Sequence, residues 1–390
     1  MSQTARPRGK RITLRLDAMT YGGDALGRAD GKAVFVPGGI AGEVVQAEIV
    51  DDRGRFARAR VIGVVEASPH RVTPRCPHFG FDAGACGGCH WQHIDYAAQV
   101  RFKTAIVREQ MRRIGRIDPA PVRDTLPSPR PWAYRNHVQF SRAGDGRLGF
   151  QAARSHRTVP IDECHVVEPP IAEWLKEQGS GANARVEVRY SPQFGVGVWE
   201  SNLPSPISSF QVKDTLFKVS AASFFQINAS LLETLVDLAV SGLDLRGGET
   251  VLDAYCGVGL FTRFLAPAAG HVIGIESSPS AIADARENLA ALGNVELREG
   301  RVETALPELG AVDVALVDPP RAGCGPAVID ALAARRVRRL VYVSCDPSTL
   351  ARDARQLIER GYDLIDVQPL DMFPHTYHIE CVALFDPQLS

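Results

Sequence analysis

Val251-Leu252-Asp253-Ala254-Tyr255-Cys256-Gly257-Val258-Gly259 reads as a buried strand that runs into a glycine loop. The loop lacks the third glycine of a dinucleotide fingerprint, which argues against NAD. Outward from it, apolar strands are expected near 250–255, 271–276, 294–298, 312–318 and 338–344. Helical segments separate them, including one expected over 278–292. This alternation implies an α/β fold, a mostly parallel sheet with helices on both faces. The last two apolar runs, 364–370 and 379–385, are joined by a short connection and predict a terminal antiparallel pair.

A second strand end carries chemistry. Val341-Tyr342-Val343-Ser344-Cys345-Asp346-Pro347 places a cysteine between a strand and a helix. Asp346 suits the N-cap and Pro347 the first helical position. A thiol at a helix N-terminus is expected to favour its thiolate. Asp318-Pro319-Pro320-Arg321 follows the fourth strand, at the carboxyl edge where open α/β sheets bind ligands. It resembles the Asp-Pro-Pro-aromatic loop of amino-group methyltransferases, but Arg321 replaces the aromatic residue, which points away from an exocyclic nitrogen target. Glu276 ends the second strand, where a carboxylate accepts hydrogen bonds from ribose hydroxyls. Strand, glycine loop and acid together are similar to S-adenosylmethionine sites.

The first half of the chain is different. Residues 11–66 alternate short apolar runs with glycine turns, which suggests a small β-barrel. The first 75 residues carry 13 Lys and Arg against 8 Asp and Glu, although the whole chain has a net charge of −1. Local basicity of this kind attracts phosphates or is simply a solvated surface. Residues 68–93 are rich in Pro, Gly, Cys and His and cannot build a core of their own, so a metal would help order them. A helix is expected over 95–115, with Arg101, Lys103, Arg108, Arg112, Arg113 and Arg116 making it basic, a face that meets RNA or is simply solvated. Residues 132–212 look strand-rich, with turns at 145–146 and 179–183. No apolar run approaches the roughly 18 residues that span a bilayer. Residues 1–10 are polar and basic and do not read as a secretory signal. A cytoplasmic enzyme is expected, and its eight cysteines should be catalytic, metal-binding or packed.

Ser344-Cys345-Asp346-Pro347, Asp318-Pro319-Pro320-Arg321, Phe224-Phe225-Gln226-Ile227-Asn228 and Phe373-Pro374-His375-Thr376-Tyr377-His378-Ile379-Glu380 closely resemble the RNA 5-methyluridine methyltransferase family, over nearly the whole chain. The resemblance implies a TRAM barrel at 1–68, a strand-rich iron–sulfur domain at 69–215, and a Rossmann-like class I methyltransferase domain at 216–390. It implies S-adenosylmethionine as cofactor, contacted by Gln226, Tyr255, Glu276 and Asp318. It implies that Cys345 is the nucleophile and Glu380 the base, and that Cys76, Cys86, Cys89 and Cys164 hold a [4Fe-4S] cluster. By donor chemistry alone, four thiolates suit zinc as well. This chain departs from the family pattern in two places. Leu260 stands where many members have Asn, and nine residues separate Cys76 from Cys86, an expanded loop at 81–85. Cys256, Cys324 and Cys381 are expected to be packing residues. The implied substrate is structured RNA, with 23S rRNA first and tRNA next, and a monomer without membrane attachment is expected.

Uracil chemistry explains these residue types. Carbon 5 is too weak a nucleophile to attack a methyl sulfonium. Thiolate addition at carbon 6 makes carbon 5 electron-rich, and a base later removes its proton so that the thiol is expelled. Two rivals lack support in the sequence. A radical S-adenosylmethionine enzyme would carry C-x3-C-x2-C, which is absent. A non-catalytic RNA-binding protein would not need Cys345, Glu380 and Asp318.

Overall fold

The computed structural model describes residues 9–179, 185–199 and 207–388. Most of the expected turn at 179–183, and residues 1–8 of the basic N-terminus, lie outside them. Five strands open the chain: β1 (Arg11–Met19), β2 (Ala25–Ala29), β3 (Lys32–Val36), β4 (Val44–Asp52) and β5 (Phe56–Glu66). They close into a barrel in the order β1-β2-β3-β5-β4. Strand periodicity builds its core: Leu14 and Leu16 point inward from β1, while Thr13 and Arg15, which alternate with them, face out.

Helix α1 (Tyr96–Gln110) follows, capped by Asp95, whose side chain accepts from the amides of Ala97 and Ala98. The central region then contributes β6 (His137–Arg142), β7 (Leu148–Gln151), β8 (Thr158–Pro160), α2 (Pro169–Lys176), β9 (Arg185–Ser191) and β10 (Gly195–Trp199). These strands form one antiparallel sheet, β10-β9-β6-β7-β8. Val138, Phe140, Val186 and Val188 bury its inner face against Ile171 and Leu175 of α2. A hairpin of β11 (Ile207–Val212) and β12 (Thr215–Ser220) comes next. Its Phe210, Val212, Phe217 and Val219 enter the core of the C-terminal region.

That region runs α3 (Ala229–Gly242), β13 (Thr250–Ala254), α4 (Leu260–Leu265), β14 (His271–Glu276), α5 (Pro279–Asn288), β15 (Val295–Glu299), α6 (Val302–Ala305), β16 (Val314–Val317), α7 (Gly325–Arg335), β17 (Arg339–Ser344), α8 (Pro347–Ile358), β18 (Tyr362–Leu370) and β19 (Glu380–Pro387). The sheet order is β15-β14-β13-β16-β17-β19-β18. The first five strands are parallel, and β19 pairs antiparallel with both β17 and β18. Val314 to Val317 and Leu340 to Val343 are fully buried, as strands covered on both faces require. The helix expected over 278–292 ends at Asn288, whose side chain turns to bond Lys218 and Val258. No helix among the described residues is long and apolar enough to cross a membrane.

Candidate active site

The carboxyl ends of β13, β14, β16 and β17 form one edge, and Tyr255, Glu276, Asp318 and Cys345 collect there. Tyr255 follows β13 in the left-handed region, with φ of 65°, where a bulky side chain is strained. Its hydroxyl is buried and has no hydrogen-bond partner among the described residues. Gly257 and Gly259 continue the turn with φ of 57° and 87°. Glu276 ends β14, and its carboxylate accepts from the amides of Gly257 at 3.0 Å and Ser278 at 2.6 Å. An acid tied to the glycine loop, an unpartnered tyrosine hydroxyl and an open turn fit the ribose and adenine end of an adenosyl ligand. Leu260 begins α4 and is buried in the apolar core, so it offers that ligand no polar contact. Gln226 is buried just before α3, and its backbone carbonyl accepts from Asn136 at 3.2 Å.

Asp318 leaves β16 with its amide donated to Ala254, which places it beside the glycine loop. Burial pushes its carboxyl up to about 7. Cys345 follows β17, half-buried, and Asp346 caps α8 by accepting from Ser348 at 2.8 Å and Thr349 at 3.1 Å. Ser344 pairs with Cys381 across β17 and β19, and Glu380 precedes Cys381 at the mouth of the same pair. Glu380 is buried, and that burial, with Asp318 nearby, holds its carboxyl well above the ordinary value.

The thiol differs from the sequence expectation. Burial pushes Cys345 up to about 12, and the acids Glu380, Asp318 and Asp346 add to the rise while Arg321 opposes it. Desolvation and these acids outweigh the potential of the helix terminus, so the thiolate is not favoured. The charge of Arg321, exposed just after β16, opposes the rise at both Cys345 and Glu380, a role the sequence motif alone did not assign.

Tyr21 of the barrel was also missed. Its ring meets Tyr377 edge-on at 5.6 Å, and burial together with the neighbouring Asp346 pushes its hydroxyl well above the ordinary value. The adjoining turn is fastened by Trp91, which donates to the Gly23 carbonyl at 3.0 Å. A side chain at Gly23 would press on Tyr377 and His90. The barrel therefore walls the site. Nothing in the local sequence of residues 20–24 signals such a contact.

Cys76, Cys86, Cys89 and Cys164 line one cavity of about 400 Å³, with Arg135, Glu163 and His378 also on its wall. Burial raises all four thiols, Cys86 to about 11 and Cys89 to about 12, so lone thiolates are disfavoured without a compensating cation. Among the described residues no three His, Cys, Asp or Glu side chains are gathered into a group that could hold a metal ion. The expanded loop packs Phe81 against Phe79, His93 and Gly38 of the barrel. Cys256, Cys324 and Cys381 are buried as packing residues.

The basic helix requires a correction. Lys103 does not face solvent: it is fully buried and pairs with Asp371 at 2.5 Å. Arg108 bonds to Val122 and Asp124, and Arg112 to Glu109. Helical spacing could not reveal this, because the partner of Lys103 lies 268 residues away.

Comparison with known proteins agrees with this geometry. An uncharacterized RNA methyltransferase of Halalkalibacterium halodurans is 34% identical, covering 96% of each chain. One of Gloeobacter violaceus is 34% identical over 97% of each. Residues 301–387 match the tRNA (Uracil-5-)-methyltransferase family, 251–318 a methyltransferase domain, and 5–62 a TRAM domain. The chain belongs to the RNA (uracil-5-)-methyltransferase family. The tRNA (uracil-54, C5)-methyltransferase of Pyrococcus abyssi, solved with S-adenosyl-L-homocysteine, superposes with a TM-score of 0.74 at 27% identity, covering 96% of this chain and all of that one. As in this family, a class I methyltransferase fold follows an N-terminal TRAM barrel and a strand-rich central region.

Proposed function

We propose that this enzyme methylates carbon 5 of a uridine in structured RNA through a covalent bond between Cys345 and carbon 6. The observation that carries this is the meeting of Cys345, Glu380, Asp318 and Arg321 at one sheet edge. S-adenosylmethionine bound there supplies an electrophilic methyl group. Gln226, Tyr255, Glu276 and Asp318 hold it, the last beside the reacting base. The Cys345 thiol gives up its proton to solvent, and the thiolate, its charge offset by Arg321, adds to carbon 6 as the ring electrons move onto the carbon 4 oxygen; carbon 5 then takes the methyl group and S-adenosylhomocysteine leaves. Glu380 takes the carbon 5 proton after methylation, and its raised basicity suits that transfer. Elimination then breaks the carbon 6–sulfur bond and expels the Cys345 thiolate, which regains its proton from solvent. The base must leave its stack to admit sulfur to the ring, so the target nucleotide is flipped.

We assign a [4Fe-4S] cluster to Cys76, Cys86, Cys89 and Cys164. The resemblance of the four-cysteine pattern to cluster-bearing family members supports this, as does the lining of one cavity by all four thiols, and zinc is the alternative by donor chemistry. A cluster there ties residues 76–89 to the central sheet, and no redox step is asked of it.

The substrate we favour is 23S rRNA, on the combination of barrel and four-cysteine cavity. tRNA is the second candidate, favoured by the likeness to the Pyrococcus abyssi enzyme. Incubation with S-adenosylmethionine and 5-fluorouridine-substituted total RNA tests both levels. Fluorine blocks the final elimination, so a denaturant-resistant adduct is expected, and sequencing its RNA names the substrate. Methylation of ordinary RNA without any adduct to the fluorinated RNA would refute the covalent route.

A further inference from the structure

Glu380 is carried by a connection, residues 371–379, that has no regular structure of its own. Two side chains of α1 grip it. Lys103 is fully buried and spends its ammonium on three acceptors of that connection: the Asp371 carboxylate at 2.5 Å, the His378 carbonyl at 2.7 Å and the Phe373 carbonyl at 3.1 Å. Gln99, one turn earlier on the same helix face, brackets His375: its oxygen accepts from the His375 amide at 2.9 Å, and its nitrogen meets the ring Nδ1 at 3.1 Å. The nitrogen of Gln99 also donates to the carbonyls of Trp91 and Ile94, so this clamp cannot swing.

The connection needs such a grip. His375 lies in the left-handed region at φ of 64°, a conformation that persists only when its surroundings over-determine it. The amides of His90 and Trp91 both donate to its carbonyl, at 2.8 and 3.0 Å, and the Trp132 ring stacks on its side chain at 3.7 Å. Tyr134 donates to the Pro374 carbonyl at 3.1 Å. The bonds of Lys103 to Asp371 and His378 join the two ends of the connection, and Glu380 lies two residues past the second.

We propose that Lys103 and Gln99 are positioning residues for Glu380, and that the buried face of α1 is the rigid support that aims this carboxylate at the base. The proposal rests on the assignment of Glu380 as the proton acceptor. Neither side chain touches RNA or cofactor in this role. Its signature is selective: a slack connection slows proton removal and elimination while leaving cysteine addition and cofactor binding in place.

The test uses the full-length protein carrying Lys103→Met together with Asp371→Leu, which removes both buried charges and leaves neither unpaired. Four quantities are measured: kcat, KM for S-adenosylmethionine, S-adenosylhomocysteine binding, and the fraction of enzyme bound to ordinary, unfluorinated RNA on a denaturing gel. The expected result is a kcat lower by about 100-fold, an unchanged KM and S-adenosylhomocysteine affinity, and an adduct that accumulates on ordinary RNA. Adding Glu380→Gln to this variant should lower kcat little further. If the double variant does not fold, Gln99→Leu, which keeps the ion pair, carries the same expectation. Wild-type turnover in the folded variant overturns the inference, as does lost turnover without adduct or with weakened S-adenosylhomocysteine binding. Failure of both variants to fold overturns it too, since α1 would then serve general stability. A wild-type protein that forms no adduct with 5-fluorouridine RNA overturns the assignment of Cys345 and Glu380, and this inference with it.

Discussion

Cys345 stands opposite Glu380 at the mouth of the β17–β19 pair, one step beyond the Ser344–Cys381 register. Two acidic groups with opposed tasks thus share one small volume. In the mechanism we propose, one loses its proton to attack and the other later accepts one.

This separation of tasks is visible in single variants. Cys345→Ala should abolish turnover, by more than about 1,000-fold, with S-adenosylhomocysteine binding retained. Glu380→Gln should still form the adduct and release it slowly, so covalent RNA accumulates. Normal steady-state methylation by either variant removes the role given to that residue.

Charge coupling between the two is a second test. The Glu380 carboxylate opposes a thiolate at Cys345, whose thiol is already pushed up to about 12. Iodoacetamide should therefore label Cys345 slowly at neutral pH and faster as pH rises. At pH near 9, Glu380→Gln should be labelled several-fold faster than wild type, because one negative neighbour is gone. Arg321→Gln should shift the labelling the other way. Peptide mass spectrometry reads both rates, and equal rates would mean that the two groups do not interact.

Asp318 links stability to activity. Its carboxyl is raised to about 7 in the folded chain, so the folded state binds more protons than the unfolded chain across the range between its ordinary value and 7. Its favourable contribution is complete at acid pH and is lost as pH rises through that window. Asp318→Asn should therefore be more stable than wild type at pH 8, by on the order of 1–3 kcal/mol, while losing methyl transfer. Melts of the two proteins should converge near pH 4. A variant less stable than wild type at pH 8 would mean that the carboxylate is well paired.

The cysteine cavity has its own measurement. Anaerobically purified wild type should be brown, and Cys86→Ser or Cys89→Ser should lose that absorption. Turnover should fall with it, because the amides of His90 and Trp91, next to Cys89, hold the His375 carbonyl. A colourless wild type with one equivalent of zinc would replace the cluster by a zinc site.

Tyr21 tests the barrel as part of the active site. Tyr21→Phe keeps the ring against Tyr377 and removes the hydroxyl from Asp346. A roughly fivefold to tenfold fall in kcat is expected with RNA affinity unchanged. A change in RNA affinity alone would leave the barrel as a tether.

The C-terminal fold was legible in the sequence because its signals are local. Runs such as Val314 to Val317 and Leu340 to Val343 announce fully buried parallel strands, and Asp346-Pro347 announces a helix start. The residue types of the site were legible for the same reason, since a strand-end cysteine and an acid after a glycine loop each occupy one short stretch. What tertiary structure decided were the relations between stretches. Lys103 reads as a surface charge at helical spacing, yet Asp371 and two carbonyls make its burial possible. Cys345 reads as an activated thiol from its helix, yet desolvation and three acids outweigh that potential. Tyr21 reads as a turn residue, yet closure of the barrel against 375–378 puts it beside Asp346. Periodicity and capping depend on neighbours a few positions away. Burial, ion pairing and pKa depend on whichever groups the fold brings within a few ångströms, and that information is spread over the whole chain.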